Sequence, residues 1–132
     1  MAYWLVKSEP ETWSWNDQVK AGVTFWDGVR NYQARNNMQA MKTGDQAFFY
    51  HSGKERAIVG IVEIVKEFYP DPSDESGKFG MVDVKMKKAL TEPVTLAQIK
   101  AEPSLEDIAL VRQSRLSVMP IKEDEWNTIL KL

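Results

Sequence analysis

The sequence predicts an α+β fold: a mostly antiparallel, curled sheet flanked by short helices, as one domain over residues 1–132. Three observations point there. Apolar runs of strand length lie near both ends of the chain, helical segments sit between and after them, and there is no regular β-α-β alternation. Ala2–Lys7 reads as a strand closed by Ser8-Glu9-Pro10, and Thr12–Ala21 as a short helix stopped by Gly22. Asn31–Met41 is a second helix, with Ala34, Met38 and Met41 at helical spacing. After the turn Thr43-Gly44-Asp45 come two strands, Gln46–His51 and Ala57–Phe68, the second rich in β-branched residues. Tyr69–Lys78, with Pro70, Pro72 and Gly77, is a polar loop. Gly80–Lys88 sets Val82, Val84 and Met86 against Asp83, Lys85 and Lys87, a strand with one buried face. Thr95 and Gln98 form a capping box for a helix through Lys100, and Leu105–Ala109 reads as a further helical turn. Leu116–Met119 is strand-like, and Lys122–Leu130 is a closing helix expected to bury Trp126, Ile129 and Leu130.

The composition narrows the chemistry. Cysteine is absent, which removes disulfides, thiolate nucleophiles and thiolate-bound metals. A single histidine, His51, leaves no histidine-rich metal site, so neither metal nor cofactor is expected. No apolar run reaches the ~20 residues that span a bilayer. The first residues lack a basic flank before an apolar signal core, so a soluble cytoplasmic protein with no membrane partner is expected. A net charge of −2 argues against a broad non-specific nucleic-acid surface. Yet Arg30, Arg35, Lys42, Lys54 and Arg56 face only Asp45 and Glu55 between positions 30 and 56, a local charge of +3. A basic patch on an acidic body suits a small anionic target.

No Walker loop, dinucleotide fingerprint, metalloprotease helix or nucleophile elbow occurs. His51 and Ser52 are neighbours on a strand and point to opposite faces, a poor arrangement for a base and its nucleophile. The segment Trp26-Asp27-Gly28-Val29-Arg30-Asn31-Tyr32-Gln33-Ala34-Arg35-Asn36 is richer, gathering aromatic, amide and guanidinium groups around a helix start. Free backbone N–H groups there suit phosphate, Arg30 and Arg35 add charged donors, and Asn31, Tyr32 and Trp26 can hold a planar ligand. The structural alternative is that Asn31 caps the helix and the arginines form surface ion pairs.

Further residues carry a resemblance. Tyr3-Trp4-Leu5-Val6-Lys7-Ser8-Glu9-Pro10, the segment from Trp26 to Asn36, Met38 with Met41, and Gly44-Asp45 follow in order. Phe48-Phe49-Tyr50-His51-Ser52, Gly60-Ile61-Val62, Tyr69-Pro70-Asp71, Met81-Val82-Asp83-Val84 and Arg115-Leu116-Ser117-Val118 with Pro120 complete the set. In order and spacing this resembles the EVE-domain family nearly end to end. Gly53 stands where the family often has Asn, and the loop after Asp71 is shorter than in animal members. The resemblance implies a PUA-like pseudo-barrel, related to PUA, ASCH and YTH domains, and a role in reading modified bases, with no catalytic residues carried over.

A narrower resemblance, over the first quarter of the chain, is to YTH readers: there Lys7 would face phosphate, Glu9 would read a base edge and Trp26 would stack. The expected function is therefore a non-enzymatic, monomeric domain binding a flipped, modified base in DNA or RNA, with Ser8, Glu9, Trp26, Asn31, Tyr32, His51 and Ser52 at the base. Lys7, Arg30, Arg35 and Arg115 would hold phosphates. The alternatives are an ASCH-like hydrolase or nuclease built on His51, and a sensor of a nucleotide-like small metabolite in the same pocket.

Overall fold

A computed structural model describes residues 1–132. Six strands make one sheet: β1 (Tyr3–Ser8), β2 (Val23–Trp26), β3 (Gln46–His51), β4 (Ala57–Pro70), β5 (Gly80–Thr95) and β6 (Val118–Ile121). They run in the order β2-β5-β4-β3-β1-β6, so the sheet curls without closing and leaves β2 and β6 as edges. Only β1 and β3 pair in parallel; every other neighbour is antiparallel, as the sequence predicts. The helices are α1 (Trp15–Ala21), α2 (Tyr32–Ala40), α3 (Leu96–Ala101), α4 (Ala109–Arg112) and α5 (Glu123–Leu130), with a 3-10 turn at Pro103–Leu105.

Strand β3 is buried on both faces from Ala47 to His51, which makes it the axis of the core. On one face Phe48 stacks on Trp126 of α5, with centroids 3.8 Å apart, and Trp126 in turn stacks on Tyr3. On the other face Phe49 meets the edges or faces of Trp15 and Trp26 at 5.3 Å and 5.4 Å, in the near-perpendicular arrangement favoured by ring quadrupoles. The residues expected to line one curled sheet (Phe48, Tyr50, Ile58, Val62, Val82, Val84 and Val118) all belong to this single core. Leu130 does not: it remains exposed while Trp126 and Ile129 are buried, because it lies on the outer side of α5.

Across from Phe49 in the ladder lies Gly60, and the reason is steric. A Cβ there would sit 2.4–2.6 Å from the ring carbons of Trp15. The indole thus lies flat against bare backbone. Gly60→Ala is expected to destabilise the fold by about 1–3 kcal/mol through overpacking, read as a lower denaturant midpoint with an unchanged slope.

Several boundaries move from their expected places. Helix α1 starts at Trp15, because Ser14 is its N-cap and exchanges reciprocal hydrogen bonds with Asp17. The residues before it, Glu9–Trp13, form a turn in which the N–H groups of Thr12 and Trp13 both donate to the Glu9 carbonyl. Strand β5 runs on to Thr95, with Leu90–Pro93 bulging out between the Gly60–Ala89 and Ile58–Val94 pairs. A bulge is where a strand tolerates proline, which cannot donate to the ladder. The helical turn expected at Leu105–Ala109 divides into the 3-10 turn and α4, and β6 lies two residues later than expected. The four-residue strand β2, absent from the sequence reading, pairs Val23–Trp26 with Lys85–Val82.

Candidate nucleic-acid interface

Where β1 ends and β2 runs along the sheet edge, a cleft of about 360 Å³ opens, lined by Lys7, Ser8, Glu9, Thr12, Trp13, Thr24, Phe25, Trp26 and Asp27. That volume lies in the range of small-molecule sites and admits a single nucleobase. The strand end supplies Lys7, Ser8 and Glu9; the turn after it supplies Thr12 and Trp13; β2 supplies Thr24, Phe25 and Trp26. Ser8 fixes the turn, its hydroxyl donating to the Trp13 carbonyl at 2.5 Å. The Trp13 indole N–H donates to the buried Gln18 side chain at 3.0 Å, which sets the angle of the ring.

The aromatic walls differ in exposure. Trp26, expected to be partly open, is 8% exposed and belongs to the core through Phe49, so it forms the cleft floor rather than a free stacking face. Trp13 is half-buried, and Phe25 is 54% exposed at the rim. The carboxylates of Glu9 and Asp27 are exposed and have no hydrogen-bond or ion-pair partner, so they are free to accept from a ligand. Lys7 has no acidic partner either; its ammonium donates to the Ser114 carbonyl at 2.9 Å, and burial lowers its pKa. A half-buried cation with a carbonyl and the Tyr50 ring beside it but no anion gains from an anion brought to it.

The other expected site residues lie elsewhere. Asn31 is the N-cap of α2, its side chain accepting from the Ala34 N–H at 2.9 Å. It borders a separate groove with Gln33, Gln113, Ser114 and Arg115, which the Lys7–Ser114 contact links to the cleft. Tyr32 packs on Phe79 with the Arg35 guanidinium over its ring, and Arg35 also donates to Asn36 and the Lys78 carbonyl. Arg30 is taken up by Asp71 at 3.3 Å, by the Ser73 hydroxyl and by the Val29 carbonyl. Ser52 is joined to β1 through its N–H, which donates to the Ser8 carbonyl, but it does not line the cleft. His51 is buried, with Nε2 accepting from the Trp15 N–H at 2.9 Å and Nδ1 against Glu55 at 2.5 Å. Both ring nitrogens hold the fold together, so neither is free to serve Ser52 as a base. Of the three arginines expected to hold phosphates, Arg30, Arg35 and Arg115, only Arg115 lacks a hydrogen-bond or ion-pair partner.

Asp71 explains why the basic patch is smaller than its sequence suggests. It is buried and accepts from the Gly28 N–H, the Ser73 N–H and hydroxyl, and Arg30. Burial raises its pKa, but these hydrogen bonds outweigh burial and bring it to about 2. Gly28 has φ +75°, so glycine makes the turn that points its N–H at Asp71.

The EVE domain family matches residues 2–132, a range that takes in every strand and helix of the fold. The chain belongs to the EVE domain family. Thymocyte nuclear protein 1 of Gallus gallus is 40% identical, over 98% of this chain and 68% of that protein. The solved structure of Rpa0253 from Rhodopseudomonas palustris is 56% identical with a TM-score of 0.94, covering 99% of this chain and 92% of that one. The human THYN1 protein, solved in complex with 5-methylcytosine containing DNA, is 38% identical with a TM-score of 0.90, covering 99% and 96% of the two chains. Within this EVE domain, sequence reasoning missed Thr12, Trp13, Thr24, Phe25 and Asp27. The signal that would have found two of them, Thr24 and Phe25, is the β-branched and aromatic run Val23–Trp26 bounded by Gly22 and Gly28.

Proposed function

We propose that this EVE domain binds DNA by taking one flipped, modified cytosine into the cleft between β1 and β2, and that it does so without chemistry. The observation that carries the reading is the pairing of an aromatic floor and wall, Trp26 and Trp13, with the unpartnered carboxylate of Glu9. The likeness to a human protein solved with 5-methylcytosine containing DNA supports the choice of base. Glu9 accepts from the exocyclic amino group, as carboxylates do from cytosine N4. A keto group in that place sets acceptor against acceptor, which costs about 2 kcal/mol or more, roughly thirtyfold in affinity. The methyl group itself is worth less. One buried methyl contributes ~0.8 kcal/mol, a preference of about fourfold over unmodified cytosine. Lys7 and Arg115 lie on the phosphate side, linked through Ser114.

Glu9→Gln tests this reading, because it keeps the shape and removes the charge. The preference for 5-methylcytosine over thymine at the same position of an oligonucleotide should fall at least tenfold, while binding of an oligo(dA)–oligo(dT) duplex, which offers no cytosine, changes less than twofold. Selectivity equal to that of the wild type would overturn the assignment of Glu9 to the base edge. A second expected result concerns salt. With Arg30 and Arg35 engaged within the protein, few cations remain for phosphates. The logarithm of affinity should fall with the logarithm of salt with a slope of about −2, from −0.9 per neutralised phosphate on duplex DNA. A slope steeper than about −5 would place the DNA on another surface.

A further inference from the structure

Resting on the base-reading proposal, we infer that Phe25 is a wedge that enters the duplex and holds open the gap left by the flipped base. Base flipping creates two needs, a pocket for the base and a filler for the hole it leaves. The cleft supplies the first. Phe25 is placed for the second: it sits on the rim of the same cleft, 54% exposed, one residue before the buried Trp26. Successive residues of a strand point to opposite faces, so the floor of the cleft and the projecting ring are set by one short strand. Strand β2 is an edge, hydrogen-bonded only to β5, so no neighbouring strand flanks its outer side. The phenyl ring makes no aromatic or cation–π contact within the protein, unlike Phe48, Phe49 and Phe79. An apolar ring that projects from a free edge beside a base-sized cleft matches the side chains that unstack base steps when proteins kink DNA.

The wedge is needed only where there is a stack to hold open, which separates it from a simple wall of the pocket. Full-length wild type, Phe25→Ala, Phe25→Trp and Val23→Ala would be titrated by fluorescence anisotropy against a duplex with one central 5-methylcytosine, and against the same modified strand alone. Val23 is equally exposed on the same face of β2 but does not line the cleft, so its variant is the control. Phe25→Ala should weaken duplex binding about tenfold and single-strand binding less than twofold; Phe25→Trp and Val23→Ala should bind both within threefold of wild type. 2-Aminopurine beside the modified base should brighten with wild type and not with Phe25→Ala. Equal loss on duplex and single strand, or no loss on either, would overturn the wedge and leave the base pocket standing. A wild type that does not prefer the modified strand in either form would overturn the base-reading proposal, and the wedge with it.

Discussion

Trp26→Ala is expected to lose about 3–5 kcal/mol of folding stability, the usual cost of truncating a buried aromatic side chain. The ring is 8% exposed and packs edge-on against Phe49, so the cavity would open in the middle of the aromatic face of the core. Against a total of about 5–15 kcal/mol, that is enough to unfold part of the population at physiological temperature. Binding would fall with it, and a binding assay alone would misreport the loss as missing stacking. Trp13→Ala separates the two effects. Its ring is half-buried and shares the cleft, so removing it should weaken binding of every base by about 1–3 kcal/mol with a smaller effect on stability. Chemical denaturation run beside oligonucleotide titration distinguishes them: Trp26→Ala moves both curves strongly, Trp13→Ala mainly the second.

Asp71 gives the largest effect outside the cleft. Its carboxylate ties the loop after β2 to the loop after β4 through Gly28, Ser73 and Arg30, and so holds the wall that carries Asp27. A carboxyl held at about 2 in the fold and near 3.8 when unfolded contributes about 2 kcal/mol once the pH is above the unfolded value. That contribution is complete above about pH 5 and disappears as the pH falls through about 2. Asp71→Asn should therefore be about 2 kcal/mol less stable than wild type at pH 7, with the difference shrinking below pH 4. Asp71→Ala should cost about 2–3 kcal/mol, because it also removes the acceptor of the Gly28 and Ser73 N–H groups, while the partly exposed Arg30 keeps the Val29 carbonyl. Urea unfolding at a series of pH values reads both. A constant difference between wild type and Asp71→Asn from pH 7 down to pH 2.5 would mean that the network does not depress the carboxyl. Asp45, which accepts from the Ala2 and Lys42 N–H groups and the Trp4 indole, is displaced in the same direction and leans the same way with pH.

The parts of the fold that could be read from sequence are those with local causes. Asn31 capping α2 and the Thr95–Gln98 capping box depend on residues three apart, and both are present in the structure. Strands β3 and β4 are long, apolar and bounded by turns, which makes them legible. Strand β2 was not, because four residues carry too little periodicity and its pairing partner lies some 60 positions away on β5. The site divides in the same way. Lys7, Ser8, Glu9 and Trp26 meet in one cleft because three of them are consecutive at the end of β1 and the fourth lies on β2, which lines the same cleft. Arg30 and His51 looked like ligand groups because one buried partner of each, Asp71 and the Trp15 N–H, lies 41 and 36 residues away in the chain. A charge or an imidazole cannot be assigned to ligand or to scaffold until the fold shows what stands opposite.

Four of the five tryptophans offer the most direct view of where the base goes. Their indole N–H groups occupy distinct places: Trp4 is bonded to Asp45, Trp13 is bonded to Gln18 in the cleft, Trp26 forms the floor, and Trp126 is stacked between Phe48 and Tyr3 on the far face of the sheet. A nitrogen-15 correlation spectrum recorded while an oligonucleotide with one 5-methylcytosine is added should move the Trp13 and Trp26 indole signals and leave those of Trp4 and Trp126 in place. The same strand with thymine at that position should leave all four nearly unmoved at equal concentration. Movement of Trp4 or Trp126 without Trp13 and Trp26, or equal movement with both strands, would contradict base reading in the β1–β2 cleft.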